Sequence, residues 1–169
     1  MIHGVNTSGV EEYLSKEEKS RLNAGRWENA DVKMVRKYLS EKDSVLELGG
    51  CTGILSCVIN RCIKGKHLVI EANPEMISCI HKVRDQNLCD FQIKNAIVSE
   101  NNSEPFEAWD FRLGSGSPIL NGRDVNSNPY GKYSKIYNIE GVPLSSISAD
   151  FNVLFCDIEG AEYELIMRN

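Results

Sequence analysis

The stretch Val45-Leu46-Glu47-Leu48-Gly49-Gly50-Cys51-Thr52-Gly53 constrains this chain more than any other. A short apolar run enters a glycine-rich turn, and a second apolar run, Ile54-Leu55-Ser56-Cys57-Val58-Ile59, follows at once. The first reads as a strand and the second as a helix. Glycine at such a turn takes a positive φ without a Cβ penalty and lets a ligand come close to the backbone. The new helix brings unpaired N–H groups and the positive end of its dipole to the same place. The pattern is that of a cradle for a nucleotide cofactor.

The rest of the chain continues the alternation. The first strand spans Ser44 to Leu48, and its helix runs from near Gly53 to the polar step Asn60 to Lys66, where Gly65 ends it. His67-Leu68-Val69-Ile70-Glu71-Ala72 is the second strand. Asn73-Pro74-Glu75 then opens a helix with Asn73 as N-cap and Pro74 at the first helical position, and Met76, Ile77, Ile80 and Val83 form its apolar face. Phe91 to Val98 reads as a third strand. Val142-Pro143-Leu144-Ser145 leads to a fourth, Asn152 to Asp157, and Gly160 starts another helix. Strands alternating with helices predict an α/β, Rossmann-like fold, a mostly parallel sheet with helices on both faces.

Two segments flank or interrupt this core. Residues 1–30 read as an N-terminal helical extension, in which Ser15 and Glu18 have capping-box spacing. The main domain is expected over 31–169 and opens with an amphipathic helix whose Val32, Val35 and Leu39 share a face. Residues 99–141 are polar and rich in Gly, Ser, Asn and Pro, with Trp109, Phe111, Tyr130, Tyr133 and Tyr137 interspersed. They read as a long insertion of the kind that usually serves function. Folds of this type normally carry further strands beyond the fourth, so strand four is expected to be an exposed edge. Either the sequence is truncated there, or a partner chain (a second copy in a homo-oligomer included) or the N-terminal extension covers it.

Composition removes some classes of function. The chain has 169 residues, a formal net charge of −5 and no long basic run, so a nucleic-acid partner is not expected. No charged segment followed by an apolar one opens the chain, and no apolar run approaches the roughly 20 residues that span a bilayer. A cytoplasmic location and no membrane partner are expected. The six cysteines, at 51, 57, 62, 79, 89 and 156, show no C-x-x-C pair and read as reduced and buried.

Which cofactor would the cradle serve? A dinucleotide site uses G-x-G-x-x-G, and here Cys51 stands where the second glycine of that motif belongs. Glu47, two residues before Gly49, would repel a phosphate and attract an ammonium. S-adenosylmethionine fits that preference, with an ammonium and a positive sulfonium and no phosphate. Glu71 ends strand two about 20 residues beyond the turn, where an acid accepts hydrogen bonds from ribose hydroxyls. It supports a nucleoside without choosing between the two cofactors. The third cue is Asp157-Ile158-Glu159-Gly160-Ala161-Glu162 after the fourth strand. Asp157 there can orient the cofactor amine, act as a base toward an acceptor hydroxyl, or ligate a hard cation. Acids at a helix N-terminus also account for Glu159 and Glu162 through the helix dipole.

Together these segments resemble the FkbM family of class I S-adenosylmethionine-dependent methyltransferases, over roughly residues 25–169. Val45 to Gly53 is similar to the family's first motif. Val69-Ile70-Glu71-Ala72-Asn73-Pro74 is similar to its second, and Asn95-Ala96-Ile97-Val98-Ser99 to the segment near the adenine. Val142 to Ile147 followed by D-I-E-G-A-E is the most family-specific part. Arg26-Trp27-Glu28 lies where relatives often carry an aromatic-acid pair facing the site. Gly50-Cys51 departs from the family's usual Ala-Asn.

The resemblance implies binding of S-adenosylmethionine, release of S-adenosylhomocysteine, and methyl transfer to a hydroxyl of a sugar, glycan or other small molecule. It implies a cofactor site made by Glu47, Gly49, Gly50, Cys51, Gly53, Glu71, Ala72, Asn73, Asn95, Ala96 and Asp157. Asp157 is the first candidate for catalysis and Glu159 the second. A divalent metal would be compatible with these acids, but no ligand set is read for one. Two other readings stay open: a non-catalytic cofactor-binding or assembly module, and, less favoured by Glu47 and Cys51, an NAD-dependent oxidoreductase.

Overall fold

Alternation along β1 (Val45–Leu48) sets the architecture. Val45 and Glu47 face one side of the sheet and Leu46 and Leu48 the other, and all four are buried. A strand buried on both faces belongs in the middle of a sheet. In the computed structural model β1 pairs in parallel with β2 (His67–Glu71) on one side and β8 (Val153–Cys156) on the other. Beyond β2 lies β3 (Gln92–Asn95), also parallel, giving the order β3-β2-β1-β8. The structure describes residues 1–109, 116–118, 134–158, 161–163 and 165.

Parallel neighbours need crossover connections. Here α3 (Ile54–Cys62) joins β1 to β2, and α4 (Ile77–Gln86) joins β2 to β3. Both crossovers step the same way, so the order reverses at β1, where β8 has been added on the far side. Crevices for ligands open at the carboxyl ends of the strands beside such a reversal. The glycine turn lies at that point.

The two faces are covered unequally. Residues from α2 (Asn29–Tyr38), α3 and α4 form one large cluster with Val45 and Val69. The N-terminal extension adds Val5, Val10, Leu14 and Leu22 to it. This extension holds a short 3-10 turn (Val10–Tyr13) and α1 (Lys16–Asn23), whose capping box is present: Glu18 N–H donates to Ser15 Oγ and Ser15 N–H to Glu18 Oε2. Asn87 and Arg61 bond the backbone of Asn6 and Gly4 and fasten the extension to α4 and α3. On the opposite face Leu46, Leu48, Ile70, Ala96, Val142 and Leu165 form a smaller cluster, with the one-turn α5 (Leu144–Ile147) against it. The extension therefore packs on the helical face and leaves the edge at β8 alone. Among the described residues nothing pairs with the outer side of β8, where Leu154 is 48% exposed.

One expectation needs correction. The third strand is not continuous: β3 ends at Asn95, and β4 (Ile97–Val98) leaves for a second sheet. The break falls at Ala96, whose N–H makes the last bond of the β2–β3 ladder, to Glu71 O at 3.1 Å. The described residues of the 99–141 insertion carry regular structure. β5 (Ser103–Trp109) and β7 (Ser134–Val142) pair antiparallel, from Ser103 opposite Glu140 to Trp109 opposite Ser134. β6 (Gly116–Pro118) adds to β5, giving the order β4-β7-β5-β6. Phe106, Ala108 and Ile139 alternate inward onto Ile97 and Ala72, a period-2 pattern that the surrounding polar residues obscure.

Candidate functional site

The turn after β1 is shaped by contacts that exclude a side chain. Gly49 has φ +93°, and a Cβ there would sit 1.9 Å from the carbonyl oxygen of Asp157. Asp157 N–H donates to Leu48 O and Gly49 N–H to Ile70 O, so the ends of β1, β2 and β8 are drawn together at this glycine. Cys51 follows in the left-handed region, with φ +45°. A non-glycine residue there costs on the order of 1–2 kcal/mol. The conformation aims its N–H at Glu71 Oε2, 2.8 Å away. Gly53, with φ +78°, is the N-cap of α3.

Glu71 is the hub on the β2 side. One carboxylate oxygen accepts from Cys51 and the other accepts the N–H of Asn73 at 2.6 Å. Burial pushes the Glu71 carboxyl up, and the N–H groups of Asn73, Cys51 and Gly50 offset only part of that. Asn73 is buried; its Oδ1 accepts from Glu75 N–H and its carbonyl from Met76 N–H. It therefore caps a tight turn, and the regular helix begins at Ile77, later than the Asn-Pro signal places it. Asn95 Nδ2 donates to the carbonyls of Glu71 and Ala72, at 2.8 and 3.0 Å. Asn95 and Ala96 thus fix the course of the β2–α4 connection. The second sheet docks beside it: Tyr137 Oη donates to Glu75 Oε1 at 2.7 Å and Lys135 bonds the same carboxylate. These two, Lys135 first, hold the Glu75 carboxyl below its ordinary value.

Glu47 faces inward, toward α3. It is 0% exposed; Ser56 Oγ donates to its Oε1 at 2.8 Å, and the His67 ring shares its Oε2, also at 2.8 Å. Its carboxylate joins β1 to α3 and β2, and the direct attraction for a ligand ammonium expected of it is not what this geometry serves. His67 is a packed histidine, with Nδ1 buried and unpartnered and its ring 5.1 Å from that of Phe91. Ser56 in an apolar helix and His67 at a strand start were the only signals for this interior chain of bonds, and neither names its partner.

On the β1–β8 side stand Asp157 and a residue with little local signal, Glu28. Asp157 is exposed at the end of β8. Ile158 N–H donates to the Glu162 carboxylate, so that acid caps a chain end, while Glu159 lies outside the described residues. Glu28 precedes α2 in the left-handed region, φ +47°. Its Oε2 is buried without a hydrogen-bond partner, and so is Nε1 of the adjacent Trp27. Burial first, then the fields of Glu47, Asp31 and Asp157, raise the Glu28 carboxyl to about 8, with the Trp27 indole offsetting part of the rise.

The structure thus gathers Gly49, Gly50, Cys51, Gly53, Glu71, Ala72, Asn73, Asn95 and Ala96 around one turn, with Asp157 on its other side. Among the described residues no group of three or more His, Cys, Asp and Glu is placed to hold a metal ion. All six cysteines are free thiols, and burial pushes Cys51 well above the usual thiol range. No helix among the described residues is long and apolar enough to cross a membrane.

No family model and no curated protein matches the chain. Among solved structures, the YcgJ protein from Bacillus subtilis aligns with a TM-score of 0.36 at 14% identity, over 44% of this chain and 34% of that one. What the chain itself displays is a mixed α/β fold whose central parallel sheet is flanked by helices, consistent with a Rossmann-like arrangement.

Proposed function

We propose that this chain binds S-adenosylmethionine and directs its methyl group to a hydroxyl of a sugar or other small molecule. The observation that carries the reading is the charge at the glycine turn. Acidic side chains flank it on both sides, Glu71 over β2, buried, and Glu28 toward β1 and β8, with its Oε2 buried. The charged groups that bear most on Glu28 and on Cys51 are themselves acidic. A dinucleotide would bring a pyrophosphate into that field, whereas a nucleoside with a cationic tail complements it.

Each residue then has a definable task. Glu71 uses one lone pair of each oxygen on Cys51 and Asn73, and a carboxylate offers about four acceptor positions, so it can still receive ribose hydroxyls. Gly49 and Gly50 let the turn pack closely, since a Cβ at either would meet the Asp157 carbonyl or the Val69 side chain. Asn95, Ala96, Ala72 and Asn73 form the wall at the ends of β2 and β3, the side assigned to the base. Bound S-adenosylmethionine supplies an activated methyl on a positive sulfonium. The protein's part is alignment, exclusion of water, and a base for the acceptor proton. Asp157 is the proposed base, with Glu159 second. The second sheet, fastened through Tyr137 and Lys135 to Glu75, stands beside the nucleoside wall and is the proposed source of acceptor choice.

Calorimetric titration with S-adenosylhomocysteine tests the reading, with Glu71→Ala as control. Micromolar binding that the control loses supports it and justifies an acceptor screen for methyl transfer. A folded chain that ignores S-adenosylhomocysteine, or that prefers a nicotinamide dinucleotide, overturns it.

A further inference from the structure

Glu28 is an anomaly on physical grounds alone. Its buried Oε2 has no partner, although a buried carboxylate normally recruits one. The indole N–H beside it is equally unsatisfied, and the backbone at Glu28 is left-handed, a conformation that an acid does not favour. The charged groups that reach it come from every side and are all acidic: Asp31 from its own helix, Glu47 from β1 and Asp157 from the end of β8. Cys51 of the glycine turn lies within its field, as it does within those of Glu71 and Glu18. Only the Trp27 indole opposes these effects, and in part. At neutral pH Glu28 therefore holds its proton while the site is empty.

Its position specifies which part of a ligand it meets. β2 and β8 flank β1 on opposite sides. Glu71 belongs to the β2 side, and Glu28, through Glu47 and Asp157, to the β1–β8 side. A ligand laid across the turn with its ribose on Glu71 brings its other end to Glu28. Glu47 cannot serve that end, because it is fully buried and tied into the core by Ser56 and His67.

Granting the cofactor reading above, we infer that Glu28 receives the primary ammonium of the cofactor's amino-acid tail, and that occupation of the site expels the Glu28 proton to solvent. The O–H bond of the carboxylic acid breaks, the proton passes to buffer, and the carboxylate left behind accepts from the ammonium. Binding is then linked to pH through a group remote from the ribose.

Calorimetry of the full chain in buffers of different ionisation enthalpy measures the proton directly. S-adenosylhomocysteine at pH 7 should release about one proton per molecule bound, and its affinity should fall about tenfold per pH unit as pH drops below 7. Methylthioadenosine, the same nucleoside without the amino-acid tail, should bind with no proton release. Glu28→Gln should bind methylthioadenosine as the wild type does, which also reports that the variant is folded. Its binding of S-adenosylhomocysteine should weaken at least tenfold, without proton release or pH dependence below 7. Equal S-adenosylhomocysteine affinity and equal proton release in wild type and Glu28→Gln would overturn the inference and leave the cofactor reading intact. Failure of a folded wild type to bind either nucleoside would overturn both.

Discussion

Two acids flank the same glycine turn, the buried Glu71 and the half-buried Glu28, and they differ in how far their oxygens are satisfied. Glu71, on the β2 side, accepts N–H groups from Cys51 and Asn73 and is part of the framework as well as the site. Glu28, on the β1–β8 side, has an oxygen that is buried and bonded to nothing. Burial raises both, but Glu71 has the N–H groups of Asn73, Cys51 and Gly50 to oppose it and Glu28 only the Trp27 indole. The difference separates two uses of an acid. A carboxylate already bonded to the backbone shapes a turn, whereas one with an unpaired oxygen can take up a further donor.

Substitutions can break this comparison or sharpen it. The largest effect is expected where both sides depend on one residue. Glu47→Ala strands Ser56 and His67 in the interior and should cost about 3–5 kcal/mol in denaturant unfolding. Gly49→Ala drives a methyl into the Asp157 carbonyl and strains the backbone, for a loss of roughly 2–4 kcal/mol and of S-adenosylhomocysteine binding. Glu71→Gln sets an amide NH2 against a backbone N–H and should destabilise by about 1–3 kcal/mol.

The same substitution on the other side should have the opposite sign. Glu28 titrates near 8 in the folded chain against 4.5 as its ordinary value, so the folded state binds more protons between these pH values. Wild-type stability should therefore fall as pH rises from 4.5 toward 8. Glu28→Gln, which cannot ionise, should lack that fall. It should match the wild type near pH 4 and exceed it near pH 9 by on the order of 2 kcal/mol. Unfolding curves across that range decide the point. If Gln at 28 and Gln at 71 shift stability alike at pH 9, the contrast drawn here is wrong.

Much of the fold was legible because periodicity and punctuation act locally. The strands at β1, β2 and β8, helices α3 and α4, and the Ser15 capping box follow from apolar spacing, Gly and short polar side chains. The second sheet was not, because Phe106, Ala108 and Ile139 alternate within polar sequence and are paired with a strand about thirty residues away, beyond the reach of local pattern. Asn73 gave the right turn and a helix start set too early, since its side chain bonds Glu75 N–H and closes a separate turn first.

The candidate site divides along the same line. The sequence by itself determined which residues cluster: Gly49 to Gly53 and Glu71 lie at strand ends, and parallel strands carry their ends to one edge of the sheet. Only the tertiary structure decided what each acid does there. Glu47 and Glu71 are the same residue type on neighbouring strands, yet one meets Ser56 and His67 in the core and the other meets the backbone of the turn. Glu28 lies outside the sheet altogether and reaches the turn only because α2 packs against α3. A carboxylate's role is set by the donors and charges around it, and those come from segments that no local stretch of sequence contains.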